Sequence, residues 1–211
     1  KSNERLIELV NGLLDVSRID LGTFAIEPEP ANLTDIAQEA IDKFADKIKE
    51  KKIVLEKFFD EVPVMNLDPR LTKIVFENII SNAVKYTPEG GKVRIVIKRT
   101  SKNALIKISD TGYGIPRAQQ PKIFTKLFRA DNVRVIESVG SGLGLYVAKA
   151  VIEKSGGKIW FQSPSLELLL DNNADRKIPI DKRNKGTTFF ITIPLQGMQG
   201  KKGTKKLTSL E

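Results

Sequence analysis

Apolar and polar positions along this chain follow two periods, and the switch between them marks most of its elements. Over residues 4–21, Leu6, Val10, Leu13 and Val16 recur at helical spacing with charges between them, which predicts an amphipathic helix. That stripe calls for company: a bundle partner outside the chain, or the chain's own domain. Residues 23–30 read as a hinge leading into an edge strand, ended by two prolines. Asn32 or Thr34 can cap a helix that carries Leu33, Ile36, Ala37, Ala40, Ile41, Phe44 and Ile48 as far as Glu50. Residues 53–58 and 64–67 read as strands around a turn at Asp60. Asp68 then stands before Pro69, as an N-cap stands before proline at the first helical position.

The period shortens to two after Pro88-Glu89-Gly90-Gly91. Val93, Ile95 and Ile97 share one face of a strand over 92–99, and Ala104, Ile106 and Ile108 share a face of its neighbour over 104–109. Asp110 has the same parity, so a carboxylate points inward from a buried face and needs hydrogen-bond donors. Residues 117–139 show no regular pattern, as a functional lid or a disordered loop would. A second helix is predicted over 145–155. Strands over 158–163 and 186–194 close the sheet, the latter with Thr187, Phe189, Ile191 and Ile193 on one face. Between them, the long connection 164–185 holds Leu166, Leu168, Leu169 and Leu170, which predicts partial packing.

The helix over 71–88 is the most informative element. Asn78, Asn82 and Lys85 fall within about 60° of one another, on the stripe that Leu71 and Val75 begin. Burying an amide without a partner costs about 1–3 kcal/mol, so two amides there call for a polar ligand or a metal. Downstream, Gly140, Gly142 and Gly144 open onto the next helix, a pattern that offers backbone N–H groups to phosphate.

Composition narrows the functional classes. With 211 residues, 40% hydrophobic and 29% charged, the chain has room for one full core plus an appendage. It has no cysteine, hence no disulfide or thiolate metal site. No apolar run approaches the roughly 18 residues of a membrane span. Of the +9 net charge, +3 lies in the Gly/Lys/Ser tail over 197–211, which is expected to be flexible. The rest is interleaved with acids, and no basic stripe alternates with aromatics as a nucleic-acid face would. Histidine is absent altogether, which removes the usual general base and every imidazole metal ligand.

Four segments stand in an order that resembles a known family. NIISNAVKYTP, DTGYGIP, IFTKLFR and GSGLGL are similar to the N, G1, F and G2 boxes in the ATP-binding catalytic domain of sensor histidine kinases, in the superfamily shared with gyrase-type ATPases. LVNGLLDVSRIDLG resembles the second helix of that family's dimerisation and phosphoacceptor bundle. The resemblance covers residues 1–196. It implies an α+β fold: a two-layer α/β sandwich whose mixed, mostly antiparallel sheet packs on helices, preceded by an N-terminal amphipathic helix. The domains implied are the bundle helix at 1–22, the catalytic domain at 23–196 and the tail at 197–211.

The resemblance also implies a site. Asn82, with Asn78, would hold Mg²⁺ on the ATP triphosphate; Lys85 would contact phosphate and Tyr86 would line the nucleotide. Asp110 would accept from the adenine amino group, aided through water by Thr187. Gly112 and Gly114 would admit the base beside Ile115, while Gly140, Gly142, Leu143 and Gly144 would fold a lid over the phosphates. Arg129 would meet γ-phosphate charge, and Glu77, Asn78 and Lys85 complete the catalytic set. Glu77, about 100° around the helix from Asn78, is expected to face away, although an acid here can assist proton removal from histidine in related kinases.

Two departures from the family pattern are Leu127, where the F box usually has an aromatic, and the length of 164–185. The activity implied is transfer of γ-phosphoryl to a bundle histidine outside this chain, then to a response-regulator aspartate, within a homodimeric parent. In gyrase-like relatives a glutamate occupies the position of Asn78 and activates water; an amide there predicts slow hydrolysis. The alternatives are an ATP hydrolase and a non-catalytic nucleotide-binding module of the same superfamily. The expected location is cytoplasmic, in a parent that an absent N-terminal region could anchor to a membrane, with no nucleic-acid partner and no membrane contact by these residues.

Overall fold

The computed structural model describes residues 2–134, 140–165, 168, 186–204 and 206–207. Five strands form one sheet: β2 (Val54–Phe59), β4 (Lys92–Arg99), β5 (Asn103–Asp110), β6 (Lys158–Gln162) and β7 (Thr187–Pro194), in the order β2-β4-β5-β7-β6. The β2–β4 pair is parallel and the other pairs are antiparallel. Period-two alternation decides which face is covered. Val93, Ile95, Ile97, Ala104, Ile106, Ile108, Ile191 and Ile193 are all buried.

They meet the apolar stripes of α2 (Leu33–Asp42), α4 (Pro69–Tyr86) and α6 (Gly144–Lys154), so helices make the second layer. A small sheet of β1 (Glu29–Ala31) and β3 (Met65–Leu67) closes one end. Two α/β layers with a mixed sheet is the architecture the sequence implied.

Local chemistry fixes the ends of α4. Asp68 caps it, accepting from the Leu71 N–H at 3.0 Å, and Pro69 takes the first turn. At the other end the Lys51 ammonium donates to the carbonyls of Val84 and Lys85 at 2.8 and 3.0 Å, satisfying acceptors that the last turn leaves open.

The single helix expected up to Glu50 is instead two, α2 and α3 (Ala45–Glu50). Phe44 leaves helical geometry at φ −103°, ψ 8°, which brings Lys43 to α4 while Ile48 still reaches the core. The irregular stretch after the G1 turn contains a 3-10 turn over Arg117–Lys122 and the short α5 (Asp131–Arg134).

The N-terminal helix α1 (Ser2–Asp20) divides its stripe. Val16 and Ile19 are buried in the core, whereas Leu6, Ile7, Val10, Leu13 and Leu14 stay exposed. So the expected partner is supplied by this chain for the last turns only. No helix among the described residues is long and apolar enough to cross a membrane.

The tail differs from expectation. Met198 and Leu207 are buried in the core, and Lys201 forms an antiparallel bridge with Ile26. Its composition is that of a solvated chain, but two apolar residues and a run of backbone hydrogen bonds are enough to order it. Residues 205 and 208–211 of the tail, with Leu166, Leu169 and Leu170, lie outside the described residues; Leu168 is buried.

Candidate functional site

Between α4, the sheet and the segment that leads into α6 lies a cavity of about 610 Å³. That lies within the size range of small-molecule sites. Its floor is the polar half of α4: Glu77, Asn78, Ser81, Asn82, Lys85 and Tyr86 all line it. Leu71 and Val75, one and two turns earlier on the same stripe, are fully buried, so the seam passes from core to cavity midway along the helix.

Asp110 ends β5, lines this cavity and is 6% exposed. Its Oδ1 accepts from the Gly112 and Thr187 N–H groups at 2.8 and 3.1 Å. Burial nevertheless dominates, pushing the carboxyl up to about 7 against the pull of those two donors. The turn that follows brings backbone against backbone: a Cβ on Gly112 would stand 2.6 Å from the Tyr86 carbonyl oxygen, so only glycine fits. The Thr187 hydroxyl lies 3.4 Å from that of Ser163, which donates to the Gly186 carbonyl and accepts from the Ile115 N–H. Thr187, Gly114 and Ile115 line the cavity beside Asp110.

The lining is basic on balance: Lys43, Lys47, Lys85 and Arg129 set four cations against the two carboxyls of Glu77 and Asp110. Gly140 sits close to Lys85, where an added Cβ would be 3.0 Å from Nζ. Gly140, Gly142 and Gly144 line the wall at the start of α6. Asn78 spends its Nδ2 on the Ile74 carbonyl at 2.9 Å, and its Oδ1 faces Gly144, where a Cβ would approach to 2.2 Å. The amide therefore joins α4 to the start of α6.

Among the described residues no cluster of three His, Cys, Asp or Glu side chains offers a metal site. Among the oxygen donors that α4 turns to the cavity are the amides of Asn78 and Asn82. Such a sparse set of hard donors suits an ion that takes most of its ligands from phosphate and water.

Of the residues singled out in the sequence, Gly112 and Leu143 stand behind the cavity wall, Leu143 wholly buried beneath it; the others reach the cavity. Glu77 corrects the expectation that it faces away. It lines the cavity, 6% exposed, and its Oε2 lies 3.1 Å from the Lys43 ammonium. The break after α2 supplies that partner, which no helical wheel of α4 alone could reveal.

Sequence reasoning also missed Lys43, Phe44, Lys47 and Leu9 as lining residues. Ser81 was findable, three residues after Asn78 on the same helix face. Asn132 of α5 donates from its Nδ2 to the Gly114 carbonyl at 3.0 Å. Phe124 meets Phe161 and Phe189 edge-on, with ring centroids 6.0 and 6.4 Å apart.

Known proteins share this arrangement. The family described as histidine kinase-, DNA gyrase B-, and HSP90-like ATPase matches residues 67–197. The circadian input-output histidine kinase CikA of Synechococcus elongatus is 33% identical over 198 residues, which span 92% of this chain and 24% of that protein. The sensor histidine kinase WalK of Bacillus subtilis is 33% identical over 199 residues, spanning 93% of this chain and 30% of that protein. The chain thus spans about a quarter to a third of the length of these relatives.

Among solved structures, the mycobacterial sensor histidine kinase MprB aligns with a TM-score of 0.63 at 25% identity, covering 81% of this chain and 99% of that one. With all four boxes inside or beside one cavity, the chain belongs to the histidine kinase-, DNA gyrase B- and HSP90-like ATPases and carries the ATP-binding catalytic domain of a sensor histidine kinase.

Proposed function

We propose that this chain binds Mg²⁺-ATP in the cavity and transfers the γ-phosphoryl group to a histidine on a separate bundle helix, for onward transfer to a response-regulator aspartate. The carrying observation is one cavity lined both by a buried carboxyl, Asp110, and by the Asn82, Lys85 and Arg129 side chains. A carboxyl that needs a donor matches an adenine amino group, and the cations match a triphosphate. Residues 1–22 would serve as the second bundle helix, residues 23–196 as the catalytic domain, and the parent would be a cytoplasmically facing homodimer.

Asn82, with Asn78, would hold the Mg²⁺, which supplies charge neutralisation on the β- and γ-phosphates when bound. The chain's own part is orientation. Asp110 and Thr187 fix the base, Gly114 and Ile115 border it, and Tyr86 lines the nucleotide next to Lys85, whose ammonium lies 5.8 Å from the Tyr86 ring centroid. Lys85 and Arg129 meet phosphate charge, and the segment through Gly140, Gly142 and Gly144 covers it. Transfer to imidazole asks for positioning and neutralisation rather than a strong base, and this side-chain set offers both.

Titration with a non-hydrolysable ATP analogue, with and without Mg²⁺, tests the site; no binding at millimolar ligand would falsify it. Supplying a histidine-bearing bundle fragment with labelled ATP tests the transfer, and an unlabelled fragment overturns it.

One observation favours a second reading, an ATP hydrolase of the same superfamily: Glu77 lines the cavity instead of facing away. Steady phosphate release without any acceptor, lost in Glu77→Gln, would decide for it.

A further inference from the structure

The ten residues from Met198 to Leu207, Lys205 aside, touch both sides of the passage from α1 into the ATP-binding domain. At the domain end, the Met198 N–H donates to the Asn66 carbonyl at 2.7 Å, and its sulfur accepts from the Asp68 N–H at 3.4 Å. Lys201 pairs with Ile26 in both directions, at 2.9 and 3.0 Å. Its ammonium donates to the Gly22 carbonyl at 2.8 Å and lies 4.9 Å from the Phe24 ring centroid. The Thr204 N–H donates to the Thr23 carbonyl at 3.0 Å. Lys206 accepts at its carbonyl from Arg18 of α1 at 2.8 Å and pairs its ammonium with Glu27 at 2.7 Å. Leu207 is buried, and Arg70 of α4 donates to its carbonyl.

We propose that residues 198–204 and 206–207 form a strap that locks the hinge over residues 22–27, so that α1 and the ATP-binding domain move as one unit. A hinge turns by changing a few backbone dihedrals, and its freedom depends on those residues lacking other partners. Here Gly22, Thr23, Phe24, Ile26 and Glu27 each have a partner in the strap. The closest approach is at Gly203, where a Cβ would stand 2.4 Å from the Ala25 nitrogen and the Phe24 carbonyl carbon. Backbone cannot yield as a side-chain tip can, so any larger residue there lifts the strap. Gly200 differs: its Cβ would meet the Pro28 ring at 3.4 Å, an ordinary contact.

The locked arrangement holds α1 against the site. Leu9 lines the cavity, and Asp20 accepts from Tyr146 of α6 and pairs with Lys126 of the segment before it. The strap therefore sets which way the cavity faces α1. Its effect on phosphoryl transfer rests on the function proposed above; its effect on the hinge does not.

Gly203→Val and Gly200→Ala in the full chain, compared by amide hydrogen exchange, test the strap. In Gly203→Val the amides of Ile26, Lys201 and Thr204 should exchange at least 10-fold faster, while amides of α4 and affinity for an ATP analogue stay within twofold; Gly200→Ala should match the parent chain. Unchanged protection at Ile26 in Gly203→Val overturns the proposal, as do hinge amides that exchange without protection in the parent chain. Should Gly203→Val fail to fold, Thr204→Pro removes one strap hydrogen bond without touching the core and must speed exchange at Ile26.

With a histidine-bearing bundle fragment and labelled ATP, the loosened variant should label the fragment at least threefold faster, because α1 no longer sits at the cavity. Equal labelling overturns that consequence. A parent chain that binds the analogue yet never labels the fragment counts against the proposed function, and exchange alone then decides the strap.

Discussion

Lys43 and Glu77 are joined by a 3.1 Å ion pair in the cavity wall, and the two ends of the pair are unequally placed. The Glu77 side chain is 8% exposed and that of Lys43 is 34% exposed. Removing the outer partner strands a buried carboxylate, whereas removing the inner charge leaves an ammonium that can turn to water. Lys43→Ala should therefore destabilise the chain by about 3 kcal/mol and Glu77→Gln by about 1 kcal/mol, read from urea unfolding midpoints. Equal losses would mean that water already reaches Glu77.

Asn78 and Gly144 predict a second outcome. The Asn78 oxygen occupies the space a Cβ on Gly144 would need, 2.2 Å away, and the amide nitrogen is held by the Ile74 carbonyl. Gly144→Ala must push α4 and the start of α6 apart where both line the cavity. Affinity for an ATP analogue should fall at least about 10-fold, while alanine's helix preference, about 1 kcal/mol over glycine, limits the loss in melting temperature. Unchanged affinity would show that the covering segment does not take part in binding.

Those two pairs also divide what sequence discloses from what it hides. Asn78, Asn82 and Lys85 share a stripe with Leu71 and Val75, and a 3.6-residue period carries that information within one helix. Asp110 was legible for the same reason, by its parity with Ile106 and Ile108. Lys43 was not, because its place depends on a break at Phe44 that no proline or glycine marks. The parallel pairing of β2 with β4 and the return of Met198 to Asn66 join residues far apart in the chain. Periodicity is blind to such partners, and the lysine-rich tail read as solvated although Met198 and Leu207 are buried.

Asn82 reaches the cavity from the half-buried face of α4, so its truncation should leave the fold intact. If it holds Mg²⁺ as proposed, Asn82→Ala should abolish most of the increase in analogue affinity that Mg²⁺ confers, leaving the metal-free affinity within about threefold. Calorimetric titrations at several Mg²⁺ concentrations separate the two. A variant whose Mg²⁺ dependence matches the parent chain removes Asn82 from the metal assignment.

Asp110 makes stability and binding respond to pH in opposite senses. Burial raises its carboxyl from 3.8 to about 7, so the folded chain holds its proton more tightly than the unfolded chain does. The stability this contributes is fully present below pH 4 and is lost progressively until pH passes about 7; the full loss is on the order of 4 kcal/mol. Asp110→Asn keeps an oxygen for the Gly112 and Thr187 N–H groups but cannot ionise.

Its melting temperature should match the parent chain's near pH 4 and exceed it increasingly up to pH 8. Parallel curves across that range would refute the buried-charge account. With the Asn oxygen held by those two donors, its NH₂ would occupy the position proposed to accept from adenine, donor facing donor. Analogue affinity should fall on the order of 100-fold despite the gain in stability. In the parent chain, affinity should instead rise from pH 6 to 8 as the carboxylate forms, because a ligand that donates to Asp110 favours its ionised state. An Asp110→Asn variant that is more stable yet binds the analogue normally would place the adenine elsewhere in the cavity.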